Sequence, residues 1–404
     1  MYWYISFLRP PPVGVTLPSN GVVITPQVAN DLRTELRDEP TPISYVWHRV
    51  APPPTAKPGE RVAQPLITKP AELTTFEPPA STYRPVTVPL PRSARAGERW
   101  RLGLLSPPHP LEAPLLSLME SSVPIMGVWS ESIELRAGEP SQAGPLRGVG
   151  ANKKEKGKGK GEEDEKKGKG KENGKAKEEA KQTRITRAWP FADGELKLVE
   201  QMSFDLDKKV WDSGLALSSW LYHWLKDGWQ RGRHPNAHAH EIIANLRAAR
   251  TLELGSGTGL VGITLGLIDR KAQVTATDLD SAMEIMNENV TLNGVGHLVR
   301  ADVLDWDAPL PPWAVNIRFV IAADVTYNTA SFPALVDTLE RLLKAQVDAG
   351  PPRLLLAYKQ RDEGERELWT MLKDRGIGTV LVDTLQGAED RGEIEIWVGG
   401  VGIA

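Results

Sequence analysis

The chain is 404 residues long, 40% hydrophobic and 25% charged, with 49 Lys plus Arg against 52 Asp plus Glu and a formal net charge of −3. That balance excludes a protein that holds nucleic acid by its overall charge, and the absence of cysteine excludes a disulfide framework, a thiolate metal site and a cysteine nucleophile. The length suits about two to three domains, and 25 of the 33 prolines fall in residues 1–150, so the chain is not one uniform unit.

At the N-terminus, MYWYISFLRPPP has no basic leader before its apolar run and is broken by Arg9 and three prolines, unlike a signal peptide. No stretch reaches about 18 uninterrupted apolar residues, so no membrane span is expected. With no cysteine, a cytoplasmic or nuclear location is expected. Apolar segments at Tyr2–Leu8, Gly21–Ile24, Ile43–Val50, Trp100–Leu105 and Met126–Leu135 predict strands. Pro-rich stretches at Ala51–Pro54, Glu77–Pro79 and Ser106–Pro110 separate them. Proline cannot donate to a sheet ladder, so short or edge strands are expected. Val28, Leu32 and Leu36, spaced by four, predict one helix over Pro26–Arg37. Residues 1–150 thus read as a partly ordered, loosely β-rich accessory region, with complete disorder as the competing reading.

Asn152–Gln182 is built almost entirely of Lys, Glu and Gly, with 12 Lys against 8 acidic residues and no Val, Ile, Leu, Met or aromatic residue. Such a segment cannot bury enough surface to offset its ordering entropy, so a disordered linker over 151–184 is expected. A role in nuclear localisation or RNA contact is the weaker reading, because the lysines are interleaved with glutamates.

From Ile185 onward strand and helix patterns alternate. Helices are predicted at Ser213–Leu225, Leu260–Ile268, Ser281–Asn293, Phe332–Lys344 and Glu363–Asp374. Strands are predicted at Thr251–Leu254, Gln273–Thr277, Leu298–Val303, Phe319–Asp324, Arg353–Tyr358, Thr379–Thr384 and Glu393–Val398. This alternation predicts an α/β, Rossmann-like doubly wound parallel sheet over 185–404, closed by an antiparallel edge hairpin. His234, His238 and His240 lack the helical spacing of a metal-binding H-E-x-x-H pair and read as a polar loop. Trp220, Trp224 and Trp229 read as the buried stripe of a helix.

The strongest motif is Glu253-Leu254-Gly255-Ser256-Gly257-Thr258-Gly259, after a strand and before an apolar helix. Its glycines allow a sharp turn and close approach of a ligand. The spacing differs from the G-x-G-x-x-G of a dinucleotide pyrophosphate site, and no P-loop lysine follows. A cofactor without phosphates fits better, with S-adenosylmethionine the leading candidate. Asp278 ends the next strand about 20 residues on, where a carboxylate can accept from both ribose hydroxyls. Asp302 and Trp306 follow the third strand and suggest a polar edge and a flat face for adenine. Asp280 could instead cap a helix, and Asp305 could be a turn residue.

From about Lys209 to Val398 the chain resembles the seven-β-strand S-adenosylmethionine-dependent methyltransferases, and within them the methyltransferase-16 family of protein-lysine methyltransferases. The residues that carry this are Val210-Trp211-Asp212-Ser213-Gly214, Leu252–Gly262, Thr277-Asp278-Leu279-Asp280, Asn287–Asn293 and Leu304-Asp305-Trp306. The family's D-x-x-Y element stands at Asp324-Val325-Thr326-Tyr327, and a strand end of Y-K-x-R type stands at Tyr358-Lys359-Gln360-Arg361. The texture is most similar to fungal members that modify translation elongation factors. The first 150 residues resemble no family, and the Lys/Glu/Gly insert departs from compact members.

The resemblance implies an enzyme acting on a lysine of a protein substrate, such as an elongation factor, and a monomer is expected. Trp211 would cover the cofactor, Gly255, Ser256 and Gly257 would touch its methionine part, and Asp278 its ribose. Trp306 would pack near adenine, Ala323 would line the pocket, Glu253 would orient the loop, and Asp324 and Tyr327 would face the substrate lysine. A methyltransferase for a small molecule or nucleic acid, or a non-catalytic binding module, stays open. Outside the linker the net charge is about −7 and no N-P-P-Y base-binding motif occurs, which argues against nucleic acid.

Overall fold

The computed structural model describes residues 2–50, 66–106, 118–119, 125–138, 180–191, 194–203, 205–226, 234–345, 350–390 and 392–403. The stretch Ala51–Pro54, most of Ser106–Pro110, the Lys/Glu/Gly segment through residue 179, and Trp229 lie outside them.

The strands of the N-terminal part are β1 (Tyr4–Arg9), β2 (Gly14–Leu17), β3 (Val22–Ala29), β4 (Thr41–Arg49), β5 (Leu66–Ile67), β6 (Ala71–Phe76), β7 (Val86–Val88), β8 (Arg99–Leu105), β9 (Val128–Ser130) and β10 (Ile133–Ala137). They are joined by β11 (Arg184–Phe191) and β12 (Gly194–Gln201). Strands β1, β3 and β7 make one antiparallel sheet. The others form a second sheet along β12-β11-β9-β8-β10-β2, with β4 also pairing β8 and carrying β5 and β6. Strands β2, β5, β7 and β9 are short, as the prolines suggested, whereas β3, β4 and β8 run to eight, nine and seven residues. Pro26 sits inside β3 opposite Phe7, where the β1 register shifts, so its missing N–H falls at an irregularity of the ladder.

Two expectations are corrected here. The helix over Pro26–Arg37 does not form, because the β-branched run from Val22 continues as strand through Ala29. Asn30 then turns the chain: its Oδ1 accepts from the N–H of Thr34 at 3.0 Å and Glu35 at 3.3 Å, and Arg33 takes a φ of 60°. Second, the boundary expected at residue 185 is displaced. Strand β11 pairs with β9 through Ile185 and Thr186, so residues 184–201 join the N-terminal sheet.

The remaining elements are α1 (Asp212–Leu221), α2 (Ala237–Asn245), β13 (Arg250–Leu254), α3 (Leu260–Ile268), β14 (Gln273–Asp278), α4 (Met283–Leu292), β15 (Val299–Val303), β16 (Phe319–Ala323), α5 (Phe332–Leu343), β17 (Arg353–Tyr358), α6 (Glu367–Asp374), β18 (Gly378–Gln386) and β19 (Glu393–Gly400). The sheet runs β15-β14-β13-β16-β17-β19-β18, parallel except that β19 is antiparallel to both neighbours. Helices α5 and α6 pack on one face through Leu335, Leu339, Leu342, Leu368 and Leu372. On the other face α1, α3 and α4 share a core with the N-terminal strands, including Tyr2, Trp3, Trp189, Leu217, Trp220, Ile263 and Met286. Every residue of α1 is buried, because β-strands cover the side that would otherwise meet water.

The histidine segment is also corrected: α2 replaces the expected loop, capped by the Asn236 side chain on the N–H of His238 and Ala239. His234 is buried against the rings of Trp220 and Trp224. Among the described residues no His/Asp/Glu group is arranged to hold a metal ion, and no helix is long and apolar enough to cross a membrane.

Candidate active site

Strand order reverses direction of growth at β13, with β14 and β15 on one side and β16 and β17 on the other. In an open α/β sheet the crevice at this point, beyond the carboxyl ends of the strands, is where ligands bind. A cavity of about 230 Å³ lies there. Trp211, Glu253, Gly255, Ser256, Gly257, Asp278, Trp306, Ala323, Asp324 and Tyr327 all line it, so the residues singled out from the sequence meet in one place. Asp302 does not: it stays within β15, its Oδ1 accepting from the N–H of Val303, and Asp305 lines the cavity in its stead.

The floor is the turn after β13. Gly255 and Gly257 take φ values of 62° and 53°, a region costly for residues with a Cβ. A Cβ on Gly255 would stand 2.7 Å from Val325 Cγ1. The turn is tied to β14 by three bonds. Gly257 N–H donates to Asp278 Oδ2 at 2.7 Å, Ser256 N–H donates to the Thr277 carbonyl at 2.9 Å, and Thr277 N–H donates to Ser256 Oγ at 2.9 Å. Beneath the turn Glu253 is buried, and its Oε2 accepts from the Gly262 N–H at 2.8 Å. Burial pushes the Glu253 carboxyl up to about 8, against the pull of that amide. Burial also raises the Asp278 carboxyl, opposed by the N–H groups of Gly257 and Leu279.

The walls are aromatic. Trp211 stands just before α1, its Nε1 donating to the Leu206 carbonyl at 2.9 Å. The Trp306 ring lies next to Gly255. Tyr327 is 55% exposed and stands at the mouth.

Asp324 follows β16 with a φ of 58°, an arrangement that costs on the order of 1–3 kcal/mol and needs support. Its N–H donates to the Ala357 carbonyl at 3.3 Å, its Oδ2 accepts from the Ser213 N–H at 3.0 Å, and its Oδ1 accepts from Arg361 Nη1 at 2.5 Å. Behind it lies a buried charge network that the sequence did not reveal. Lys359 Nζ reaches Asp212 Oδ2 at 2.6 Å and Asp31 Oδ1 at 3.1 Å, and Arg361 Nη2 reaches Asp31 Oδ2 at 3.1 Å. Tyr4 donates its hydroxyl to Asp212 Oδ1 at 2.7 Å. Burial works to raise the Asp31 carboxyl, but Lys359 and Arg361 hold it below the ordinary range. Burial and the neighbouring Asp31 charge raise that of Asp212. Asp212, Lys359 and Arg361 stand inside the stretches quoted for the family resemblance, whereas Asp31 had no sequence signal.

Asp207, also unforeseen, lines the cavity beside Gly257, and its Oδ2 is buried with no hydrogen-bond partner. A buried acceptor of this kind is costly unless a ligand donates to it. The cavity therefore combines a carboxylate at the end of β14, a flat indole, a glycine turn and an unfilled acceptor beside that turn. This set suits a nucleoside joined to an amino-acid tail.

The profile of the lysine methyltransferase family matches residues 190–375. Over these residues the chain is similar to the lysine methyltransferase family. The chain is 34% identical over 138 residues to the protein-lysine N-methyltransferase EFM6 of Saccharomyces cerevisiae, covering 31% of this chain and 55% of that one. It is 35% identical over 135 residues to the protein N-lysine methyltransferase METTL21A of Danio rerio, covering 32% and 59%. It is 30% identical over 177 residues to the EEF1A lysine methyltransferase 3 of Mus musculus, covering 43% and 65%. The chain thus spans roughly 55% to 65% of the length of these relatives. The lysine methyltransferase match begins inside β11, so β1 to β10 lie outside it.

Proposed function

We propose that this chain is a protein-lysine N-methyltransferase that uses S-adenosylmethionine and acts on a translation elongation factor. The observation that carries the reading is the single cavity in which the glycine turn, Asp278, Trp306, Asp324 and Tyr327 converge. The names of the yeast and mouse relatives support a protein lysine, and for the mouse relative an elongation factor, as the acceptor.

When bound, S-adenosylmethionine supplies an electrophilic methyl group on a sulfonium. Asp278 would accept from the ribose hydroxyls, Trp306 would lie on adenine, and Trp211 would close the cavity from above. The backbone of Gly255 to Gly257 would hold the methionine part, with Asp207 accepting from its α-ammonium.

Only a neutral amine can attack the methyl group, and a free lysine titrates at about 10.4. An apolar, aromatic slot favours loss of that proton. The Asp324 carboxylate orients the amine by accepting one of its hydrogens. Arg361 already balances this carboxylate, which weakens its pull on the ammonium proton. Tyr327 flanks the entering side chain. Positioning then supplies most of the rate, because charge is dispersed rather than created in the transfer.

The test is incubation of the full-length protein with tritium-labelled S-adenosylmethionine and unmodified elongation factor 1A, with and without nuclease. A nuclease-insensitive label that maps to a lysine is expected. Absence of transfer, or label removed by nuclease, overturns the proposal.

A further inference from the structure

We infer that Asp31, which lies outside the methyltransferase segment, is a positioning residue of the active site: it orients Arg361, and Arg361 holds the Asp324 carboxylate in place. The inference rests on the proposed methyl transfer, since Asp324 acts in that reaction.

Arg361 spans two carboxylates that belong to different parts of the chain. Its Nη1 meets Asp324 Oδ1 at 2.5 Å and its Nη2 meets Asp31 Oδ2 at 3.1 Å. Its Nε is buried without a partner, so the two carboxylates and a 3.5 Å contact from Nη1 to the Lys359 carbonyl set the plane of the guanidinium. A guanidinium held at both ends is fixed in direction, whereas one held at a single end can swing about its stem. Asp324 needs this rigidity because its backbone sits in the left-handed region next to the cavity.

Asp31 is itself held firmly. Its side chain is fully buried, and its Oδ1 accepts from the Leu32 N–H at 2.9 Å. The Asn30 side chain fixes the loop that carries it, and Lys359 binds both of its oxygens at 3.1 and 3.3 Å. Three carboxylates, of Asp31, Asp212 and Asp324, thus surround two cations. Removing Asp31 would leave Lys359 with Asp212 and Arg361 with Asp324, so each cation would keep one partner while Arg361 loses its own tie to the N-terminal strands. A supporting contact of this type tightens a site without touching substrate.

The experiment compares full-length wild type, D31N, D31E and the junction control E389Q. Glu389 binds Arg37 and Trp3 at the same junction but does not line the cavity. Expected are a fall in kcat of tenfold or more for D31N, a smaller fall for D31E, and S-adenosylhomocysteine affinity within twofold of wild type for both. E389Q should keep kcat within twofold even where its melting temperature drops as far as that of D31N. In an R361M background, D31N should add no further loss, as for residues acting through one contact. D31E retains the charge and serves if D31N does not fold, and its kcat within twofold of wild type then overturns the inference. Unchanged kcat in D31N, an equal loss in E389Q, or additive losses with R361M overturn the inference while the proposed function stands. A wild-type protein that transfers no methyl group overturns both.

Discussion

Gly257 donates its N–H to Asp278 Oδ2 at 2.7 Å, which locks the turn after β13 to the tip of β14 before any ligand arrives. The carboxylate can therefore receive ribose hydroxyls without first being oriented. Asp278→Ala removes both the proposed ribose acceptor and the anchor of the turn. Each unpaired donor costs about 1–3 kcal/mol, so S-adenosylhomocysteine affinity should fall at least tenfold by calorimetry. An unchanged affinity would place the nucleoside elsewhere.

Asp207→Asn should weaken S-adenosylhomocysteine about tenfold, the cost of one charge-assisted hydrogen bond of roughly 1.5 kcal/mol. Methylthioadenosine lacks the amino-acid tail and should bind both proteins alike. Equal weakening of the two ligands would mean that Asp207 shapes the cavity rather than holding an ammonium.

Glu253 gives the fold a pH dependence. Its carboxyl is raised from 4.5 to about 8 in the folded chain, so its stabilising contribution is complete below pH 4.5 and is lost as pH rises through about 8. Across that window stability should decline by up to about 1.4 kcal/mol per pH unit. Denaturant midpoints of wild type and Glu253→Gln, taken at pH 5.5 and 8.5, should differ in slope, with the variant flatter. Parallel slopes would show that the side chain stays ionised when buried.

Arg187 and Glu200 pair across β11 and β12 at 2.5 Å and are both buried, and Arg187 also donates to the carbonyls of Ile5 and Gly127. Removing one member of a buried pair leaves a charge behind, at about 3–5 kcal/mol. Glu200→Met should lower stability by that order, and Arg187→Met with Glu200→Met should recover part of it. Chemical denaturation reads both, and a neutral single variant would remove this clasp from the account.

Periodicity revealed α3 and β17 to the residue, because a nine-residue apolar run after a glycine turn and a β-branched or leucine-rich run before Tyr358 have one natural reading each. The glycine turn, Asp278 and Trp306 were legible from their offsets after recognisable strands, whereas Trp211, Ala323, Asp324 and Tyr327 came from the family resemblance and Asp207 carried no signal. Asp31 was not legible, since its partners Lys359 and Arg361 are over 320 residues away and meet it only after the sheets pack. The helix expected around Leu32 failed on a local competitor, the Asn30 side chain, which satisfies two backbone amides in a turn. The histidines misled in the opposite direction, because Asn236 supplies a cap that apolar spacing does not register.

The route of the chain around β2 has its own consequence. Gly138 donates its N–H to the Leu17 carbonyl at one end of that strand, and Val13 donates to the Ala180 carbonyl at the other. Four residue steps separate Val13 from Leu17, a distance of about 13 Å in an extended strand. Residues 139–179 therefore connect two points of the same sheet and set no spacing between domains. The protein should accept an inserted tag there, or survive a single cut there as two fragments that stay together through the shared strands.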